Sequence, residues 1–382
     1  MHVVFLTYRY WPAVGGVEKY VSELGRALVS MGHRVSVVTG AHAAGLPPRE
    51  SRDGIQIRRL PAYRSALRCR FHLLRLRQLF AEADVVQISD VLMAEQYFTT
   101  VGWLLPRRPV FLTRHGLSYQ CPVPEREKRR AGRVASLVDG VVDDGHFIAK
   151  WLQVCPGTVL DQGLSPPADE IHQRREPSPD CAVFVGRLDC DTGIRHYIDA
   201  VELLGRNHGL TMDLDVYGDG PLKCELQRRT TASALPVTFH GWVENAQDRF
   251  ADGCFAFASG RLAIQEAMAR RRLVVATWAN ALKRDYVLEE AFSPFLVGAG
   301  SPADIAAAVA HHVAHADHRS ALVDGAYEYV RRLTWNRTAD GFLSVWRERL
   351  SSRPVARSWL NRARLAAELV GDFKPARITT PS

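Results

Sequence analysis

Two doubly wound α/β domains joined by one linker are the architecture this sequence predicts, on three observations. Short apolar runs of strand character alternate with amphipathic helical stretches along most of the chain. The alternation runs as two separate series, each of the kind a parallel sheet wound on both faces requires. Between the series lies 165–180, SPPADEIHQRREPSPD, whose four prolines and many charges cannot continue a sheet. A length of 382 residues suits about two domains, and a composition of 47% hydrophobic and 24% charged residues is ordinary for a folded chain.

The first series opens with the strand HVVFLT, then a helix from about Gly16 to Met31. Val17, Val21, Leu24, Leu28 and Met31 recur there at spacings of four and three and share one face. The strands RVSVVTG, DVVQIS at 84–89, PVFLTRH at 109–115 and DGVVDD at 139–144 follow, separated by helical stretches. The second series reads CAVFVGRL, a helix from about Gly193 to Leu204, LDVYG, a helix from Leu222, VTFHG, a helix over Ala246 to Ala251, CFAFAS, the helix bearing Glu266, and RLVVAT. Helices are expected at 302–315, 317–333 and 335–350. The domains are thus 1–170 and 178–334, with 335–350 returning toward the first and 351–382 a basic, partly disordered tail. Two such halves imply a cleft, with a pocket at the carboxyl ends of the strands.

Several classes of protein are disfavoured. No apolar run reaches the roughly 18 residues needed to cross a bilayer, and MHVVFLTYRYWP reads as a first strand rather than a signal peptide. The seven scattered cysteines show no paired spacing and read as reduced thiols in a cytoplasmic protein, which makes the sequon at Asn336 accidental. Asp213-Leu-Asp215 spells a metal-binding DxD, but both acids fall inside a strand, and no metal site is expected. The net charge of +8 is concentrated from Arg58 to Arg77, where seven arginines interleave with leucines and Phe71 and no acid occurs. That stretch suits an anionic lipid surface, as a peripheral attachment to the inner face of the membrane, or else a solvated helix covering the first domain. No nucleic-acid partner is expected.

The chemistry-bearing segments begin with YWPAVGGVEKYVSELGRALVSMGHRVSVVTG. Gly15 and Gly16 make a tight loop that lets a ligand approach the backbone, and the helix behind them aims its free N–H groups at a place that would suit a diphosphate. The GxGxxG fingerprint of a dinucleotide enzyme is absent, which disfavours an oxidoreductase or an epimerase. The string of Pro, Gly-Gly, Val-Glu, apolar helix, Gly-His and Val-x-Val-x-Thr resembles the opening of the GT-B glycosyltransferases of family 4. FVGRLDCDTGIRHYIDAVELL, DVYGDGPLKCEL, VTFHGWV and QEAMARRRLVVAT extend the resemblance over about residues 2 to 350.

The resemblance implies two Rossmann-like domains facing across a cleft and retaining transfer of a sugar from a nucleotide donor. It implies a UDP- or GDP-sugar as substrate and no cofactor. By the same resemblance Arg187 clamps the donor diphosphate, Gly218 and Gly220 form the glycine turn, Glu266 bonds the ribose, and His115 approaches the sugar. Asp144 and His146 would face the cleft from a later loop. The acceptor is an envelope lipid, a polysaccharide or a small metabolite.

Two departures stand out. The family's clamp lysine is Thr192 here, and the first of two glutamates eight positions apart is Ala258. Losing one cation opposite a departing diphosphate would cost roughly 2–4 kcal/mol. Arg261, or else Arg195, is the expected replacement, since a planar guanidinium takes phosphate through two hydrogen bonds. The departures leave a second reading, a non-catalytic or partner-dependent binding subunit, and the arginine stretch a third, a lipid-surface protein.

Overall fold

The computed structural model describes residues 1–13, 15–61, 65–105, 108–117, 120–165 and 178–351. Most of the expected linker and the basic tail lie outside the described residues. The chain divides into two compact units, one formed by Met1–Gly163 with the segment beginning at Thr334, the other by Leu164–Leu333.

The first unit holds an eight-stranded sheet of β1 (His2–Leu6), β2 (Arg34–Gly40), β3 (Arg49–Arg52), β4 (Ile55–Leu60), β5 (Val85–Ile88), β6 (Val110–Arg114), β7 (Gly140–Asp143) and β8 (Thr158–Val159), in the order β3-β4-β2-β1-β5-β6-β7-β8. Every neighbouring pair is parallel except β3 with β4. All five residues of β1 are buried, as a central parallel strand covered on both faces requires. One face packs on helix Gly16–Ser30 through Val21, Leu24 and Leu28. The other packs on helices Ala66–Arg75, Val91–Phe98 and Glu125–Leu137 through Leu73, Tyr97 and Val134.

The final helix, Trp335–Ser351, belongs to this unit. Trp335 and Phe342 meet the Tyr20 ring edge-on at 5.4 and 6.4 Å. The buried Trp346 indole donates to Gln87 Oε1 at 3.0 Å, and Gln87 Nε2 donates to Thr113 Oγ1 at 2.9 Å, so the donor buried with this large ring is satisfied.

Pairing of β3 with β4 was not expected. Its turn, Asp53-Gly54, has both residues at positive φ, 51° and 77°, which is the hairpin geometry an Asp-Gly pair favours. This hairpin divides the arginine stretch. Arg58 and Arg59 lie in β4, and Arg59 is buried against Glu50 at 2.6 Å while donating to the carbonyls of Pro47 and Trp11 at 2.9 Å. Helices Ala66–Arg75 and Arg77–Ala81 carry the later arginines, apart from Arg64, which lies outside the described residues.

The second unit holds β9 (Cys181–Val185), β10 (Asp213–Tyr217), β11 (Val237–Gly241), β12 (Phe255–Phe257), β13 (Leu273–Thr277) and β14 (Val297–Ala299), ordered β11-β10-β9-β12-β13-β14 and parallel throughout. This is the doubly wound dinucleotide-fold order. Helices Ile194–His208 and Pro302–Ala314 cover one face through Tyr197, Val201, Leu204, Ile305 and Val309. Residues 246–252 form a 3-10 turn rather than an α-helix, and β14 and helix Ala281–Leu288 add to the expected elements.

Candidate functional site

Strand order reverses between β1 and β5 in the first sheet and between β9 and β12 in the second. Ligands of such sheets bind beyond the carboxyl ends of the strands that flank a reversal.

In the second unit, β9 runs into Gly186-Arg187-Leu188. The Gly186 amide donates to Tyr217 O at 3.0 Å and the Leu188 amide to Asp219 O at 2.9 Å, which zips this loop to the one after β10. Gly218 has φ +148°, and a Cβ there would overlap the Gly186 carbonyl oxygen; a Cβ on Gly220 would overlap the backbone of Leu188. Both glycines therefore act by letting two loops close together. Arg187 stays exposed, with its guanidinium 3.1 Å from Asp191 and 3.5 Å from Asp189.

The Thr192 hydroxyl donates to Asp189 O at 2.8 Å, and Ala258 is buried. Arg195 takes the Glu225 carboxylate with both of its terminal nitrogens. Arg261 opens helix Arg261–Ala269 at the end of β12, and its amide donates to the Tyr286 hydroxyl at 2.7 Å. Its guanidinium is buried 3.2 Å from the buried Glu290 carboxylate. Glu266 is half-buried farther along that helix. Beneath this strand end the Tyr197 hydroxyl meets Ser259 Oγ at 2.8 Å and accepts from the Thr277 amide at 3.2 Å, and burial pushes its pKa up.

A residue outside the expected set stands beside them. Asn280 caps helix Ala281–Leu288 by accepting the Lys283 amide at 2.9 Å. The Lys283 side chain is buried, with Nζ 4.9 Å from the centre of the Tyr286 ring. Burial drives its ammonium pKa down to about 8; Asp191 opposes the shift and Arg187 adds to it. Its sequence signal was the Asn280 cap following a buried strand.

In the first unit, Gly15 is extended at φ 179° and caps helix Gly16–Ser30, and nothing lies within 4 Å of a Cβ placed on Gly16. A Cβ on Gly15 would overlap the Glu18 carboxylate, so the chain's own acid already lies against this helix start. Across the reversal, Asp90 accepts the amides of Tyr8 at 2.9 Å and Met93 at 2.7 Å. Burial pushes its carboxyl up to about 6, against the pull of those amides, His115 and Arg130. Asp90 was also missed, although an Asp between a strand and an apolar helix is a cap signal.

His115 follows β6 with its side chain buried, edge-on to Tyr20 at 4.6 Å and with Nδ1 3.9 Å from Asp144. Its Nε2 is buried without a hydrogen-bond partner among the described residues. His146 is exposed at the start of helix His146–Leu152. Under these groups Arg114 and Asp143 make a buried two-pronged ion pair at 2.5 and 2.6 Å.

Elsewhere Asp215 Oδ1 of the DxD lies within hydrogen-bond distance of His240 Nε2, at 2.7 Å, and no group of metal ligands occurs among the described residues. All seven cysteines are free. No described helix is long and apolar enough to cross a membrane.

Two parallel α/β units of this kind define the GT-B class of glycosyltransferases. Residues 15–142 match the glycosyl transferase 4-like domain and residues 179–315 the glycosyl transferases group 1 domain, together more than two thirds of the chain. The chain belongs to the group 1 glycosyltransferases. No curated protein sequence matches it.

Solved structures share its fold at low identity. Sucrose-phosphate synthase from Thermosynechococcus elongatus aligns with a TM-score of 0.71 at 17% identity, covering 92% of this chain and 100% of that one. HepE from Anabaena in complex with UDP gives 0.73 at 15% identity over 91% and 100%. The starch synthase IV catalytic domain from Arabidopsis thaliana, bound to ADP and acarbose, gives 0.69 at 12% over 92% and 99%.

Proposed function

We propose that the protein transfers a sugar, with retention of configuration, from a UDP- or GDP-sugar to a hydroxyl acceptor. The observation that carries this reading is the Arg187 loop, which presents an exposed guanidinium at the strand-order reversal of the second sheet and is seated by Gly218 and Gly220. HepE has been solved with UDP and with UDP-glucose, which supports a uridine donor here.

In this reading Arg187 takes the diphosphate, Glu266 the ribose hydroxyls, and the Gly15-Gly16 turn offers bare backbone to the donor. Arg261, held by Glu290, sets the start of the helix that carries Glu266. The bond from the anomeric carbon to phosphate breaks, and the bond to the acceptor oxygen forms on the same face. The acceptor proton leaves on the departing phosphate. Stabilising that leaving group is the main demand, because a fixed cation in place before reaction needs no reorganisation during it. His115, with Nδ1 3.9 Å from Asp144 and its buried Nε2 without a hydrogen-bond partner among the described residues, is suited to hold a sugar or acceptor hydroxyl.

The acceptor is an envelope lipid, a polysaccharide or a small metabolite, and one observation favours the lipid. Leu67 and Phe71 are exposed one turn apart on helix Ala66–Arg75, beside Arg68 and Arg75, with the Arg75 guanidinium over the Phe71 ring at 4.4 Å. Such a face suits the anionic inner surface of a membrane, where a lipid acceptor is presented and the protein is cytoplasmic and peripheral.

The second reading, a binding subunit without turnover, is favoured by the absence of charge at Ala258 and Thr192. Incubation with UDP- and GDP-sugars, with and without lipid, glycan and small-molecule acceptors, separates the two. Release or transfer of sugar is expected; donor binding with no turnover across the panel would leave the binding subunit, and no donor binding would sink both.

A further inference from the structure

We propose that the corner between helix Pro302–Ala314 and helix Ala316–Val330 is an acid-sensitive latch, in which four histidines pack ring on ring while neutral and push the corner open when they take up protons.

The four are His311, His312, His315 and His318. His311 stacks on His315 with ring centres 4.2 Å apart, and His315 stacks on His318 at 5.5 Å. His311 also lies 5.8 Å from His318 and meets His312 edge-on at 5.0 Å, so one ring is flanked by the other three where the two helices join. His315 Nδ1 donates to His311 O at 2.8 Å and closes the end of the first helix. His312 is buried, and its Nδ1 has no hydrogen-bond partner among the described residues. Stacked rings turn faces rather than nitrogens to one another, and no group of metal ligands occurs among the described residues.

The surroundings of these rings are cationic. Arg319 of the second helix donates to His312 O at 2.5 Å, and among the described residues no acid makes an ion pair or hydrogen bond with any of the four. On the second helix Asp317 is exposed, Asp324 pairs with Arg271 and Glu328 with Arg331. Helix Ile194–His208 packs on the first helix; its Asp199 and Glu202 are held by Arg229, its His196 lies 3.4 Å from Thr277 Oγ1, and its His208 is exposed. Strands β13 and β14 carry no charged side chain. Burial, and then His311, Arg319, His318 and His315, hold the pKa of His312 below the ordinary 6.5.

Histidine is the side chain that ordinarily changes charge between pH 5 and 8. The carboxyl end of the first helix would welcome one proton on His315. Two charged rings at stacking distance, however, repel each other more strongly at a protein surface than one helix end attracts either of them. His318 lies in the first turn of the second helix, where the dipole opposes a cation. The folded pKa of His312 is depressed, so the stability that comes from burying it neutral is fully present above about pH 6.5 and is lost as pH falls through the folded value. Acid therefore drives the rings apart.

The second helix carries that opening toward the candidate donor site. It packs on helix Arg261–Ala269, which bears Glu266, and Arg271 just beyond that helix pairs with Asp324 at 2.9 Å and lies over the Tyr327 ring at 3.9 Å. Weaker donor binding in acid follows, and this consequence rests on the donor reading above, whereas the latch itself does not.

The test is amide hydrogen exchange and calorimetric UDP titration of wild type and H311Q/H315Q/H318Q at pH 5, 6 and 7.5. These three rings are exposed, so the variant is expected to fold. Protection of segment 308–322 in wild type, taken relative to β9, is expected to fall about 10-fold or more from pH 7.5 to 5, and in the variant less than about threefold. Over the same range UDP should lose about 5- to 10-fold more affinity for wild type than for the variant, since protonation of UDP itself affects both alike.

Protection that is the same at pH 5 and 7.5 in wild type, or that falls equally in the variant, overturns the latch. Loss of protection in wild type with a UDP affinity that follows the variant at every pH overturns the link to the donor site alone. A wild type that takes no UDP at any pH overturns the donor reading and that link, while the exchange measurement still decides the latch.

Discussion

The two units carry opposite chemistry at matching points of their sheets. Around the reversal of the second sheet stand Arg187, Arg261 and Lys283; around that of the first stand Asp90, His115 and Asp144, with Glu18 against Gly15. In the proposed reading one strand-end cluster takes a departing diphosphate and the other a proton-bearing hydroxyl. The shared winding explains where the clusters sit and nothing about their sign, which side chains on the loops alone decide.

The contrast breaks most sharply within the cationic cluster, where Arg261 and Arg187 differ in surroundings. Arg261→Ala would take the Arg261 cation away from the buried Glu290 carboxylate, at a cost of about 3–5 kcal/mol, seen as a lower midpoint in urea unfolding. The double variant R261M/E290M should regain most of that loss. Arg187 is exposed, so R187A should leave the midpoint within roughly 0.5 kcal/mol while weakening UDP binding about 10- to 100-fold. If R261A instead folds normally and loses UDP, Arg261 is itself a phosphate contact and the division between the two arginines is gone.

The acidic cluster has its own signature. Asp90 has a folded pKa of about 6, above the ordinary 3.8. A raised carboxyl pKa means that the stability associated with protonated Asp90 is fully present below about pH 4 and is lost as pH rises through 6. A shift of this size corresponds to up to about 3 kcal/mol. The unfolding midpoint of D90N relative to wild type should therefore climb between pH 4 and pH 6 and level off above about pH 7. A difference that does not vary over that range would mean that Asp90 titrates as an ordinary surface acid.

Strand alternation and the helical spacing of Val17 through Met31 located the central strands of both sheets but not β3, β4, β8 or β14, because periodicity reports which face of an element is covered and the outer strands are short or lie at the edge. The β3–β4 hairpin escaped that reading because Arg49–Arg52 has no apolar alternation and an edge strand needs none. Gly218 and Gly220 were legible as a glycine turn, and the close approach of two loops demands glycine there, whereas Arg187 was read from the family resemblance alone. The partners of Arg261 and Arg195 were not legible. Glu290 and Glu225 lie 29 and 30 positions away in sequence, and nothing local marks which of the chain's many acids folds back onto which arginine.

The smallest expected effect concerns the arginine-rich helix of the first unit. On Ala66–Arg75 the residues Cys69 and Leu73 are buried in the first unit while Leu67 and Phe71 are exposed, so L67S/F71S should leave folding intact. Two side chains that enter a lipid headgroup boundary only in part contribute about 1–2 kcal/mol, well below full burial. Sedimentation with vesicles containing phosphatidylglycerol should therefore show the double variant binding about 10-fold more weakly than wild type. Wild-type binding should also fade between about 0.05 and 0.5 M salt, as the arginines are screened from the headgroups. Retention on anionic vesicles that is indifferent both to salt and to these two side chains would detach the helix from any membrane role and leave it a solvated cover on its domain.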